Sequence, residues 1–292
     1  MLVTAIAVAA WFVRGDEISR PHDAYVRLLT RTGLAETQVG GEWVAEAVRA
    51  LDAASTVPPQ FERSSLVDPL RPTALAYQVA LRRGQRLDLD ARLDGGMPGE
   101  IFLDAFEASA PRARLSGAIR ALHVEAADDG LVVVRIQPEL FRGGRLHVAG
   151  RIGPSLRFPV AGADARALHS VFGDPRDAGR RRHEGVDIFA ERGTAVLSAA
   201  DGIVTRVTET DVGGRVVWVW NPGRSLAMYY AHLDEQHVAS GDQVEAGDVL
   251  GTVGNTGNAR TTPPHLHFGL YDAGRGAIDP DAFIRPILSP GR

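Results

Sequence analysis

The residues with most chemistry to offer lie in two short runs. In RRHEGVDIF, residues 181–189, His183 and Asp187 stand four apart, with Val186 and Ile188 alternating beside them. If the run is extended, side chains two apart share a face, so His183, Gly185 and Asp187 point one way while Val186 and Ile188 enter a core. An imidazole and a carboxylate are then held side by side, with Gly185 keeping the space between them free. In PHLHF, His265 and His267 share a face opposite Leu266 and Phe268, and Pro263 and Pro264 stiffen the approach. Two such strands side by side give a cluster of His, Asp and His, the donor set of a catalytic zinc site, which takes three protein ligands and keeps one position for water. A third imidazole, His232 in MYYAHLD, shares a strand face with Met228 and Tyr230. With His183, Asp187 and one of His265 and His267 on the metal, His232 and the remaining histidine can hold or deprotonate the water. Spacing alone does not choose between His265 and His267, and the alternative for the whole set is a group of buried histidines hydrogen-bonded to Asp187. Glu184 is not the base of a helical H-E-x-x-H site, because position 187 is Asp and Gly185 weakens a helix there.

The elements that must position these residues read as mostly β. At 292 residues, about two domains are expected. Residues 2–13 are apolar but short of the roughly 20 residues that span a bilayer. They are nearer to the core of a secretory signal, with small residues at Ala7 and Ala9, although the first basic residue, Arg14, follows the run. Export to the periplasm or cell envelope is the expectation, with residues 1–15 as the signal and no stable membrane span. Residues 16–65 read as a helical hairpin: Tyr25, Leu28 and Leu29 recur at helical spacing, Gly33 suits a stop, and Trp43, Ala47, Val48 and Leu51 resume after a break at Gly40 and Gly41. His22 is expected to be solvent-exposed. A polar linker with Pro58, Pro59, Pro69 and Pro72 follows. Residues 66–160 read as a β-sandwich with strands at 75–81, 87–93, 101–106, 123–126, 131–136 and 146–152, and their order resembles the jelly-roll modules that accompany secreted bacterial peptidases. His123 and His147 are expected to be satisfied structural residues, and Asp88 and Asp90 a solvated face. From 161 to 292 the chain reads as an antiparallel β domain with an open cleft and strands at 195–198, 202–208, 216–220, 227–232, 249–253 and 265–271; His169 and His237 fall in connections at its surface.

Composition removes several functions. A formal net charge of -4 gives no basic surplus for nucleic acid. There is no Cys, which excludes disulfides, thiolate zinc knuckles and thiol nucleophiles. Every basic residue other than His is Arg. The hairpin-like stretch 238–254, VASGDQVEAGDVLGTVG, looks like a biotinyl or lipoyl carrier, but a carrier needs a Lys to modify and the chain has none.

The ordered set FGDPRD, RRHEGVDI, YYAHLD, VEAGDVLGTVGNTGNA and PHLHF resembles the lysostaphin-type, LytM-like zinc metallopeptidases that cut peptidoglycan cross-links. The resemblance covers residues 166–284. It implies that His183, Asp187 and His267 are ligands of Zn²⁺, that His232 and His265 are the catalytic pair, and that peptidoglycan peptides are the substrate. Arg260-Thr261-Thr262-Pro263 departs from the family's usual lead into the last motif, which changes one cleft wall and removes no ligand. Some LytM-like domains lose ligands and activate other wall hydrolases; here all five positions are filled. The family cuts glycine bridges or D-alanyl-diaminopimelate cross-links, and the Lys-free composition with a jelly-roll partner favours the second.

Overall fold

The computed structural model describes residues 20–176 and 179–286, so the expected signal at 1–15 lies outside the described residues. Two helices come first, α1 (Pro21–Arg31) and α2 (Gln38–Asp52). Pro21 opens α1, where its missing N–H costs nothing, and Gly33 takes φ +74° just beyond the helix end. α2 starts earlier than its periodicity suggests: Gly40 and Gly41 lie inside its first turn instead of breaking it. The Thr37 hydroxyl accepts the Gly40 N–H at 3.1 Å as a cap, and a Cβ at Gly40 would sit 1.9 Å from the Leu34 carbonyl oxygen, so the glycines allow the tight approach of the preceding turn.

Strands β1 (Ser55–Thr56), β2 (Gln60–Val67), β3 (Leu75–Leu81), β4 (Gln85–Asp94), β5 (Ile101–Glu107), β6 (Ala110–Ile119), β7 (Ala121–Glu125), β8 (Gly130–Pro138) and β9 (Gly144–Pro154) form two sheets ordered β1-β3-β8-β5-β6 and β2-β9-β4-β7. Leaving out the two-residue β1, the strands lie four to a sheet and alternate between sheets except at β5 and β6, which pair with each other, in the order of a jelly roll. β2 occupies the stretch read as a polar linker. Its exposed residues face solvent while Phe61 and Val67 enter the core, and its backbone pairs with β9 along its own whole length, from Gln60–Arg151 to Val67–Gly144, so pairing rather than hydrophobic content makes it a strand. β6 is likewise absent from the sequence reading.

The sheet carrying β5 and β8 is buried on both faces. Ile101, Leu103 and Ala105 face the sandwich core, while Phe102 packs with Leu29, Trp43 and Leu140 under the helices. His22 is therefore buried, not exposed: its ring stacks on Trp43 at 5.1 Å and Nε2 lies 2.8 Å from the Gln137 side-chain oxygen. An ion pair, Arg135 to Asp104 at 2.5 Å, is sealed beneath α2, and Arg135 also donates to the Ala47 carbonyl at 3.0 Å. His123 and His147 meet Asp88 and Asp94 at 2.6 and 3.1 Å, as satisfied structural residues do.

The C-terminal part contains β10 (Leu168–Ser170), β11 (Pro175–Arg176), β12 (Arg181–Arg182), β13 (Val186–Phe189), β14 (Ala195–Leu197), β15 (Gly202–Thr210), β16 (Gly214–Asn221), β17 (Leu226–Gln236), β18 (Gln243–Val244), β19 (Val249–Val253), β20 (His265–Asp272), β21 (Gly276–Ile278) and a last turn of helix, α3 (Asp281–Ile284). Its main sheet runs β10-β13-β20-β17-β16-β15-β18. The core beneath includes Val186, Ile188, Met228, Tyr230, Leu266 and Phe268, and also Leu156 and Val160, ahead of residue 161. The two parts meet at the end of β20 away from its histidines, through Arg83–Asp272 at 2.5 Å, Arg275–Asp128 at 2.6 Å and Phe283 against Gly84.

Asp104→Ala should lower stability by about 3–5 kcal/mol, because Arg135 keeps its charge in a buried site after losing the carboxylate at 2.5 Å. Replacing both, as Asp104→Leu with Arg135→Met, should lose much less, and chemical denaturation of the three proteins measures the contrast.

Candidate metal centre

β13 and β20 pair antiparallel in a register that sets Asp187 opposite His267 and Phe189 opposite His265. Val186, Ile188, Leu266 and Phe268 fill the core on the other face, all with essentially no exposure, so the hydrophobic residues fix which way the polar ones point. His183, just before β13, closes the group. Its Nε2 lies 3.0 Å from Asp187 Oδ1 and 2.9 Å from His267 Nδ1, and His267 Nδ1 lies 3.0 Å from the same Oδ1. Tetrahedral ligands at ~2.0–2.2 Å from zinc stand about 3.4 Å apart. The observed triangle is slightly tighter and of the right size. Among the described residues this is the one group of three such side chains whose ligand atoms converge.

The backbone selects the tautomers. His183 Nδ1 is 2.9 Å from the Val171 carbonyl, His232 Nδ1 2.9 Å from the Thr256 carbonyl, and His265 Nδ1 2.9 Å from the Pro263 carbonyl. A carbonyl only accepts, so in each ring Nδ1 carries the proton and the neutral form keeps its lone pair on Nε2. Burial alone would raise the Asp187 carboxyl, but hydrogen bonds and charge from His183 and His267 outweigh it and hold the group well below the usual carboxylate range. Burial and the neighbouring His265 and His267 push the His232 imidazole down to about 4, and burial lowers His267 despite its contact with Asp187. Asp187 is thus biased towards the carboxylate and His232 and His267 towards the neutral imidazole, the forms a divalent transition metal favours.

His232 does not share a face with Met228 and Tyr230, which are in the core. The strand alternation breaks at Ala231–His232, where the pairing with β16 slips by one residue and His232 takes φ +63°. A non-glycine residue held in the left-handed region is strained. The bulge turns the ring into the cleft, 5.1 Å from the His265 ring and 6.0 Å from the His267 ring.

Gly185 has a more specific role than leaving room. A Cβ there would come within 2.5 Å of the Phe268 carbonyl oxygen and 2.8 Å of the His267 ring, so the imidazole lies close against the glycine. The sequence reading also missed Arg176, whose guanidinium donates to Asp187 Oδ2 at 2.7 Å and to the Ser170 hydroxyl at 2.6 Å, leaving Oδ1 on the triangle. It lies in FGDPRD, eleven residues from its carboxylate, and no periodicity links the two. His169, expected in a connection, is on β10 at the cleft edge, with its ring 5.3 Å from Phe189, on which His265 stacks at 4.9 Å.

The cleft over the triangle measures about 560 Å³ and is lined on one side by Trp218, Tyr229 and Tyr271. A slightly larger hollow, about 610 Å³, lies on the outer face of the sandwich beside Arg92, Arg120 and His147. No ligand triangle converges there among the described residues, so the chemistry belongs to the smaller cleft.

Residues 181–280 match the family model described as Peptidase family M23. The chain is 36% identical to the L-Ala--D-Glu endopeptidase of Bacillus subtilis (strain 168) over 44% of its own length and 42% of the relative's. It is 40% identical to the glycyl-glycine endopeptidase ALE-1 of Staphylococcus capitis over 35% of its own length and 29% of the relative's. It therefore spans less than half the length of either curated relative. Among solved structures, that of LytU is 34% identical, with 40% of this chain and 83% of that one covered at a TM-score of 0.37.

Gly185→Ala should fold yet bind metal at least about tenfold more weakly, since the displaced His267 ring supports the triangle; metal titration with circular dichroism as the folding check reads both. In metal-free protein, His232 binds its proton less readily when folded than when unfolded. Stability from this group is therefore full above pH ~6.5 and lost as pH falls towards about 4. Thermal unfolding against pH should show that loss, reduced in His232→Gln.

Proposed function

We propose that this chain, whose residues 181–280 form a peptidase family M23 domain, is a zinc-dependent peptidoglycan endopeptidase that hydrolyses amide bonds in cell-wall peptides by an activated water, acting in the cell envelope. The observation that carries the reading is the triangle of His183 Nε2, Asp187 Oδ1 and His267 Nδ1 with two further imidazoles beside it. Three protein donors of N and O type with space on the cleft side are the pattern of catalytic rather than structural zinc. Bound there, zinc supplies Lewis acidity, polarising the scissile carbonyl and making a water acidic enough to lose its proton near neutral pH.

The remaining steps fall to the chain itself. His232 and His265, with Nδ1–H tied to the Thr256 and Pro263 carbonyls, turn unprotonated Nε2 atoms towards the reacting group. One takes the proton of the attacking water, and once protonated donates to the developing oxyanion or the leaving nitrogen. Neutral imidazole is the form that can accept, and the downward shift of His232 keeps it in that form through neutral pH. Arg176 holds Asp187 at the oxygen not turned to the triangle. A purely regulatory role gains nothing from this arrangement, since binding another hydrolase needs neither the ligands nor the pair.

The residues lining the cleft all lie between 169 and 271, and the seam between the two parts is at the far end of β20, which supports a catalytic unit that works without the sandwich. Because Leu156 and Val160 pack in its core, that unit is proposed to begin near residue 155 rather than 161. No helix of the described residues is long and apolar enough to cross a membrane. The relatives are named for different bonds, so likeness to them does not choose one; the D-alanyl-diaminopimelate cross-link is the preferred reading over the glycine bridge.

Digestion of purified sacculi of both cross-link types, with mass analysis of the fragments, tests the activity and the bond; intact sacculi of both kinds after incubation with zinc-loaded protein would sink it. His267→Ala should lose the metal, whereas His232→Ala and His265→Ala should keep it and lose ~10²–10⁴-fold in rate. Metal analysis of the three variants separates the roles, and a zinc-free His265→Ala beside a zinc-loaded His267→Ala would reverse them.

A further inference from the structure

Beside the triangle, the cleft face of the main sheet is aromatic, and what it implies about the peptide rests on the endopeptidase reading above. Trp218 on β16 stands directly opposite Tyr229 on β17, and Tyr229 directly opposite Gly269 on β20. Cross-strand partners point to the same face, and Tyr271, two residues beyond Gly269, shares it. Gly269 brings the third ring in: a Cβ there would sit 3.1 Å from the Tyr271 ring, which lies over the place a side chain would take. The rings of Trp218 and Tyr229 are 4.4 Å apart and those of Trp218 and Tyr271 5.2 Å, while the Tyr271 hydroxyl donates to Glu184 at 3.2 Å. The near end of this shelf reaches the triangle, with the Tyr229 ring 5.8 Å from that of His267.

All three side chains line the cleft and are half-buried, whereas Val217, Val219, Met228, Tyr230, Phe268 and Leu270 at the alternate positions are enclosed in the core. The shelf is apolar surface kept on the reaction side of the sheet, and a ligand laid on it removes that surface from water. Its complement has to be apolar and joined to the scissile amide by few bonds, because the shelf begins at a ring beside His267. A sugar stands at the far end of a wall peptide, and a glycine bridge offers no side chain. The diamino acid of a direct cross-link meets both conditions: its side-chain nitrogen lies in the scissile amide, and a run of methylenes leads away from it.

We propose that Trp218, Tyr229 and Tyr271 form a specificity-determining shelf for the methylene stem of the diamino acid that supplies the nitrogen of the scissile amide. Cross-links made through a diamino acid are then preferred over glycine bridges, by an amount that grows with the length of stem laid on the rings.

The test uses D-alanyl peptides joined through the side-chain amine of diaminopropionate, diaminobutyrate, ornithine or lysine, a series of constant charge in which the stem lengthens by a methylene at each step. Binding is measured by calorimetry on the zinc-loaded full chain carrying His265→Ala, which keeps turnover from consuming the ligand; cleavage is measured on the unaltered chain. Full burial of a methylene gives about fourfold in affinity and a shelf covers one side of it, so each step should tighten binding about twofold, roughly eightfold over the series. The same trend should appear in kcat/KM, carried by KM. Trp218→Ala and Tyr271→Ala should flatten the series, Trp218→Phe should keep most of its slope, and zinc content and circular dichroism should match the parent. Each slope is a ratio within one protein, so a general loss of affinity does not imitate the effect. Equal affinity across the series, or a slope that survives both alanine variants, overturns the proposal. A slope in binding with no member cut overturns the peptidase reading and leaves the shelf standing; cleavage of every member at equal affinity and efficiency does the opposite.

Discussion

The pairing of β13 with β20 is the constraint on which everything else at the centre depends. Its register puts Asp187 opposite His267, and a slip of β13 by one residue would turn Asp187 into the core and Val186 and Ile188 into the cleft. Val186, Ile188, Leu266 and Phe268 prevent that slip because each is fully enclosed on the other face. The apolar residues and the donors are thus one device: burial supplies the free energy, and alternation converts it into the placement of three ligand atoms about 3 Å apart.

Around that pair, the main chain decides what the imidazoles can do. Carbonyls of Val171, Thr256 and Pro263 each hold an Nδ1–H, so His183, His232 and His265 all present Nε2, while His267 presents Nδ1 to the same triangle. Carbonyl oxygens cannot change protonation state, so these tautomers persist across the pH range in which the rings stay neutral. Of the places where the sheet gives up regularity, the one at the left-handed residue His232 is where regularity would have hidden a functional ring beside Met228 and Tyr230. Strain concentrated at one such position fits a site that the surrounding strands over-determine.

Much of this was readable from alternation. The shared face of His183 and Asp187, that of His265 and His267, most strands after residue 194 and the two-layer character of the front part all follow from side-chain periodicity and turn residues. What escaped did so for physical reasons. β2 is mostly polar and exists because its backbone pairs with β9. His22 is enclosed because α1 and α2 cover the outer face of a sheet that alternation alone would leave half-wet, and no local pattern reveals what a second layer will cover. Arg176 reaches Asp187 across a turn, and the bulge at His232 reverses what strict period two predicts. Each omission is a tertiary effect on a residue whose neighbours in sequence look ordinary.

The contact between His267 and Gly185 bears on how the centre can be filled. The ring lies against the glycine and the Phe268 carbonyl, and behind them is the closed core, so the ligand atoms can be reached only from the cleft. If the site holds a metal and the cleft a peptide, as proposed, both would share that one opening, and a bound peptide would stand between the ion and solvent and slow the ion's exchange.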